Sequence, residues 1–108
     1  MANLLDYGST WSKTAKYLRE ARANLSESAE GVCADEIVEF EEYLSHNEFE
    51  LALDALEVAF DKGDAANWRV LEYMGMAAFS MQLFDRQRRY DDRLTQARGW
   101  PYKTPVPR

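Results

Sequence analysis

An all-α fold is predicted for this chain: a compact bundle of about five helices in a single domain, followed by an extended, proline-containing tail. Three observations lead there. Four of the five glycines but no proline precede residue 99, so little interrupts helix formation. Apolar residues recur at three- and four-residue spacing, and no alternating apolar and polar run is long enough for a strand. The 108 residues, 46% of them hydrophobic, supply one core and not two. The division expected is a helical domain over 1–99 and a tail over 100–108.

The first helix is expected to start near Ser9 or Ser12 as N-cap and to run to about Leu25, with Trp11, Ala15, Leu18 and Leu25 on its core face. Ser26 to Gly31 reads as a polar break. The second helix spans about Ala34 to Ser45, with Ile37, Val38, Phe40 and Leu44 inward and Asp35, Glu36, Glu39 and Glu42 outward beside Tyr43. Asn47 and Glu50 have the spacing of a capping box. A third helix should therefore begin there and end near Lys62, with Gly63 as a left-handed stop. Its core stripe is Phe49, Ala52, Leu53, Leu56 and Phe60, while Leu51, Ala55 and Val58 form a second apolar side between Glu50, Asp54 and Asp61. The fourth helix, from about Ala66 to Phe84, is apolar nearly all round and belongs in the middle of the bundle. Asp85 is placed to cap a fifth, Arg86 to Arg98, with Tyr90, Leu94 and Ala97 as a thin apolar stripe. Gly99 stops it, and Pro101, Pro105 and Pro107 keep the tail extended.

Charge is unevenly distributed along these elements. Residues 31–66 hold eleven acids against one base, Lys62, for a local charge of −10. The first thirty residues balance at four of each, and the last forty-two carry four acids against eight bases. A block of one sign gives a small protein a directional field that selects its partners. This one favours a basic protein and disfavours nucleic acid, whose phosphates need Lys and Arg on the contact face. Arg86, Arg88, Arg89 and Arg93 do not reverse that reading, because Asp85, Asp91 and Asp92 interrupt them. The same arginines, with Arg69, are candidates to neutralise part of the block from within, although exposed ion pairs contribute only about 0–1 kcal/mol each. The residues expected to meet a partner are Asp35, Glu36, Glu39, Glu42, Tyr43, Glu50, Asp54, Glu57 and Asp61.

Catalytic and metal chemistry find no foothold in the sequence. His46 is the only histidine; with Glu42 four residues earlier it makes at most half a metal site. No phosphate-binding loop, dinucleotide fingerprint or nucleophile motif is present. Neighbouring carboxylates such as Glu39, Glu41 and Glu42 act as an acid–base pair only when burial raises one pKa, and an amphipathic helix leaves them in water. The expectation is a non-enzymatic binding protein with no cofactor and no metal. Cys33, the only cysteine, excludes an internal disulfide and reads as a small packing residue. The start of the chain lacks the basic and apolar stretches of a signal peptide. Tyr73 to Phe84, the longest uncharged run, is too short for the roughly 20 residues of a membrane span. A cytoplasmic location without membrane association follows as an expectation.

The segment from Val38 to Phe60 resembles the middle of small bacterial immunity proteins of the MafI-like kind. The resemblance rests on the helix-ending pair Tyr43–Leu44, the His46-Asn47-Glu48 break, and Glu50-Leu-Ala-Leu-Asp-Ala-Leu56. It covers about a quarter of the chain, or half if Trp68 to Leu83 is the following helix; the Arg-rich fifth helix and the tail lie outside it. The resemblance implies an antitoxin that binds the C-terminal toxin domain of a contact-dependent growth inhibition or related polymorphic toxin. It further implies a nuclease target; with the acidic block, the expectation is an RNase ranked ahead of a DNase, bound by a monomer in a 1:1 complex. The rival reading from the residues is a helical adaptor or regulatory subunit that dimerises through Leu51, Ala55 and Val58.

Overall fold

A computed structural model describes residues 2–65 and 67–105, with side chains from Thr10 onward. Six helices account for most of it: α1 Ala2–Ala23, α2 Glu27–Val32, α3 Ala34–Ser45, α4 Phe49–Gly63, α5 Trp68–Ser80 and α6 Phe84–Arg98. No strand occurs among the described residues. The helices form one slab of 45 × 34 × 19 Å, roughly two helix diameters thick.

α5 occupies the middle, packed against α1 on one side and α6 on the other and touching α4. α4 in turn carries α2 and α3. The core joins Leu18, Phe40, Leu53, Leu56, Phe60, Val70, Leu71, Met74, Tyr90 and Leu94, each at most 1% exposed. The predicted core stripe of α4 is buried in full. α3 lies at the edge, with Phe40 and Leu44 turned onto α4.

Several local expectations are corrected. The count is six, because Ser26 does not open a loop; its Oγ accepts from the Ala29 amide at 3.2 Å and caps the short helix α2. α1 starts at Ala2 and not at Ser9 or Ser12, since a serine caps only where the preceding residues leave the helix. Asn47 ends α3 instead of capping α4. With φ at +57°, it lets its own amide bond Leu44 O at 3.1 Å and the Glu48 amide bond Tyr43 O at 2.9 Å. Gln82 closes α5 with the same geometry at φ +62°, so Leu83 is spent on the turn and Asp85 falls inside α6, paired with Arg88. Gly63 is not left-handed. It is the last residue of α4, and a Cβ there would lie 2.6 Å from the Ala29 Cα, so its bareness lets α2 touch α4. Gly99 does take the left-handed stop, at φ +84°.

Trp11 and Val38, expected inward, are 54% and 57% exposed. Trp11 presents an edge contact to Phe49 at 6.4 Å, and Val38 sits beyond the arc that Ile37, Phe40 and Leu44 turn to α4. Ala97, assigned to the α6 stripe, is also exposed. The tail is irregular over 101–105 and is seated on the bundle: the Tyr102 amide donates to Thr95 Oγ1 at 3.0 Å, and Thr104 is buried. Ala66, the expected start of the fourth helix, and Pro107 lie outside the described residues.

Candidate functional site

The nine residues expected to meet a partner divide between two places. Asp35, Glu39 and Glu42 are exposed on the outward face of α3, one helical turn apart, with Val38 among them. None of the three forms an ion pair among the described residues, and the same is true of Glu50 at the start of α4. Glu36, on the flank of α3, accepts from Lys62 Nζ of α4 at 3.0 Å, a bond that holds its carboxyl below the usual range. Tyr43 is half-buried against the core.

Asp54, Glu57 and Asp61 stand elsewhere, on the flank of α4 that meets α6. Arg86 donates from Nη1 to Asp54 at 2.5 Å and from Nη2 to Glu57 at 2.9 Å, while Arg93 reaches Asp61 at 2.7 Å. The Tyr90 hydroxyl donates to Glu57 and accepts from Arg86 Nε at 3.2 Å and Nη2 at 2.9 Å. The two helices run parallel here, so residues 54, 57 and 61 meet 86, 90 and 93 in step. Burial pushes the Glu57 carboxyl up, but the bonds from Tyr90 and Arg86 outweigh it and leave Glu57 below its ordinary value. Burial and the Glu57 charge push the Tyr90 hydroxyl the other way, well above the ordinary tyrosine range.

An open groove of about 330 Å³ runs along this ladder, lined by Asp54, Glu57, Val58, Asp61, Arg86 and Arg89. Its carboxylates are paired with guanidinium groups, and Glu57, held ionised by Tyr90 and Arg86, is poorly suited to act as a general acid. Among the described residues, the internal partners of the acidic block are therefore Arg86 and Arg93 on the far side, with Lys62 for Glu36 and Arg22 of α1 for Glu41 at 3.6 Å. Helical spacing put the acids on α4 but carried no information about which flank α6 would cover.

His46 is fixed at the end of α3 by its Nδ1, which donates to the Glu42 carbonyl at 2.9 Å. No group of three metal-binding side chains occurs among the described residues. No described helix is long and apolar enough to cross a membrane. Cys33 is fully buried, with its thiol directed at Ala59 O at 3.6 Å. Of the second apolar side of α4, Leu51 and Val58 are 45% and 41% exposed, whereas Ala55 is buried.

Trp68, Trp100 and Tyr102, none of them expected at a site, surround Arg98 with ring centroids 5.0, 4.8 and 5.5 Å from its guanidinium carbon. Glu72 lies 3.7 Å from the same group. Two segments far apart in sequence supply these residues, Trp68 with Glu72 on α5 and Arg98 with Trp100 and Tyr102 after it, and no spacing rule would have joined the two. Comparisons with protein-family models, curated proteins and solved structures find no match to this chain.

Proposed function

We propose that the chain is an immunity protein: it binds and neutralises the C-terminal toxin domain of a contact-dependent growth inhibition or related polymorphic toxin. The observation that carries this reading is the free acidic face of α3. Among the described residues, Asp35, Glu39 and Glu42 have no cation while neighbouring acids are paired, so their field is available to an incoming basic surface. Val38, exposed among them, supplies an apolar contact of the kind that holds a complex once charge has steered it. The target is a nuclease domain with a basic substrate cleft, an RNase ranked ahead of a DNase, bound 1:1 by a monomer in the cytoplasm. The protein acts by occupancy and not by catalysis, needs no cofactor or metal, and binds neither nucleic acid nor membrane.

Affinity recovery of the tagged protein from its native cells, at low and at high salt, tests the proposal. The expected result is the C-terminal fragment of one large effector, retained at low salt and weakened at high salt. Recovery of the protein alone, or of a housekeeping complex, overturns it. The exposure of Leu51 and Val58 favours a second reading, an adaptor that dimerises through α4. Light scattering after size exclusion separates the two, because an apolar homodimer persists at every salt concentration.

A further inference from the structure

The segment after Gly99 alternates like a strand laid on a surface. Tyr102 is half-buried and Thr104 is buried, while Pro101, Lys103 and Pro105 are exposed. Thr104 enters a slot between α5 and α6. Its amide donates to Asp91 Oδ2 at 3.0 Å and its hydroxyl donates to Asp91 Oδ1 at 2.6 Å. Asp91 is only 8% exposed, and among the described residues Thr104 is the sole hydrogen-bond partner of its carboxylate. The opposite wall is Gly75, where a Cβ would lie 2.9 Å from the Thr104 hydroxyl and 3.6 Å from Asp91 Oδ1. A bare glycine on α5 and a buried carboxylate on α6 thus match one hydroxyl-bearing side chain and the amide of its own backbone. Threonine or serine suits that pair of acceptors; valine fills the space but leaves a carboxylate oxygen unpartnered.

We infer that Gly75 and Asp91 form a binding slot for an extended segment bearing a hydroxyl side chain, occupied in cis by residues 100–105, which can leave without unfolding the helices. The attachments outside the slot are the Tyr102 amide on Thr95, the half-buried Tyr102 side chain on the edge of the core, and Trp100 and Tyr102 against Arg98. The helical core joins α1, α4, α5 and α6 through side chains that precede the segment. The inference is independent of the immunity reading.

Amide exchange followed by NMR in the full-length protein tests it. In the wild type the Tyr102 and Thr104 amides are expected to be protected. In the full-length Thr104→Val protein the Tyr102 amide should exchange about tenfold faster or more, while amides within α5 and α6 keep their protection. A synthetic peptide spanning 99–108 should then bind the Thr104→Val protein in trans and shift the Gly75 and Asp91 resonances. The same peptide carrying Thr104→Val should bind at least about tenfold more weakly. Loss of protection throughout α5 and α6 in the variant would make the segment part of the core and overturn the inference. Unprotected amides in the wild type, or a wild-type peptide that shifts neither residue, would overturn it as well.

Discussion

Arg86 ties α6 to α4: it bonds two carboxylates of α4 and the hydroxyl of Tyr90, while its own side chain is only 14% exposed. Neutralising Glu57 takes from this largely buried guanidinium the less exposed of its two carboxylates and leaves it Asp54, so Glu57→Gln should cost about 1–3 kcal/mol at neutral pH in thermal or urea denaturation. Glu39→Gln, on the open face of α3, should stay within about 0.5 kcal/mol. Glu57 also sets a pH dependence. Its folded pKa lies below the ordinary value, so its contribution is fully present above the unfolded pKa of about 4.3 and is lost as pH falls through the lower folded value. Glu36, lowered by Lys62, acts in the same direction. Stability of the wild type should therefore fall on acidification through this window, and Glu57→Gln should shallow that slope without abolishing it. An unchanged slope would place the acid sensitivity on other carboxylates. Tyr102 acts at the opposite end of the scale. Burial, with the nearby charges of Glu72 and Asp91, pushes it up to about 12 against the pull of Arg98. Its contribution is complete below the ordinary tyrosine pKa of about 10 and disappears as pH rises through the folded value.

Between elements, Gly63 decides how closely α2 approaches α4. Alanine there would meet the Ala29 backbone, which cannot rotate away as a side-chain end can. Gly63→Ala should therefore destabilise by about 1–3 kcal/mol despite the better helix propensity of alanine, as a lowered midpoint in thermal melting would record. Gln82→Gly should do the reverse, by about 1 kcal/mol, because a side chain at φ +62° carries a steric cost that glycine lacks. These two positions also show where sequence reading stopped. Periodicity located α3, α4, α5 and α6 to within a few residues, because 3.6-residue spacing of large apolar side chains survives in any helix that covers a core. It could not separate a glycine used for backbone conformation from one used for close approach, as Gly63 and Gly99 illustrate. It also read Asn47 as an N-cap, since asparagine suits the start of one helix and the left-handed end of another. The short α2 carries no apolar period at all, so its residues read as a polar break although Ser26 caps a helix there.

At the scale of the whole molecule, the sequence shows how much negative charge residues 31–66 carry, but not how the fold divides it. That division depends on α6 returning parallel to α4 and setting Arg86 and Arg93 against Asp54, Glu57 and Asp61. α3, at the edge of the slab, pairs Glu36 and Glu41 but leaves Asp35, Glu39 and Glu42 unopposed among the described residues. Two triple charge reversals should therefore behave differently although they change net charge equally. Replacing Asp35, Glu39 and Glu42 together with lysine breaks no internal pair. Its direct cost is the loss of Asp35 from the first turn of α3, worth about 0.3–1 kcal/mol. Replacing Asp54, Glu57 and Asp61 sets three lysines against two arginines across a partly buried seam and should destabilise by roughly 3–5 kcal/mol. Circular dichroism melts separate these outcomes without any partner. With the partner domain in hand, association kinetics complete the comparison: the α3 variant, folded and near wild-type stability, should lose its fast, salt-dependent association. If that variant binds as the wild type does, the acidic face of α3 is a solvated surface and the partner is met elsewhere on the slab.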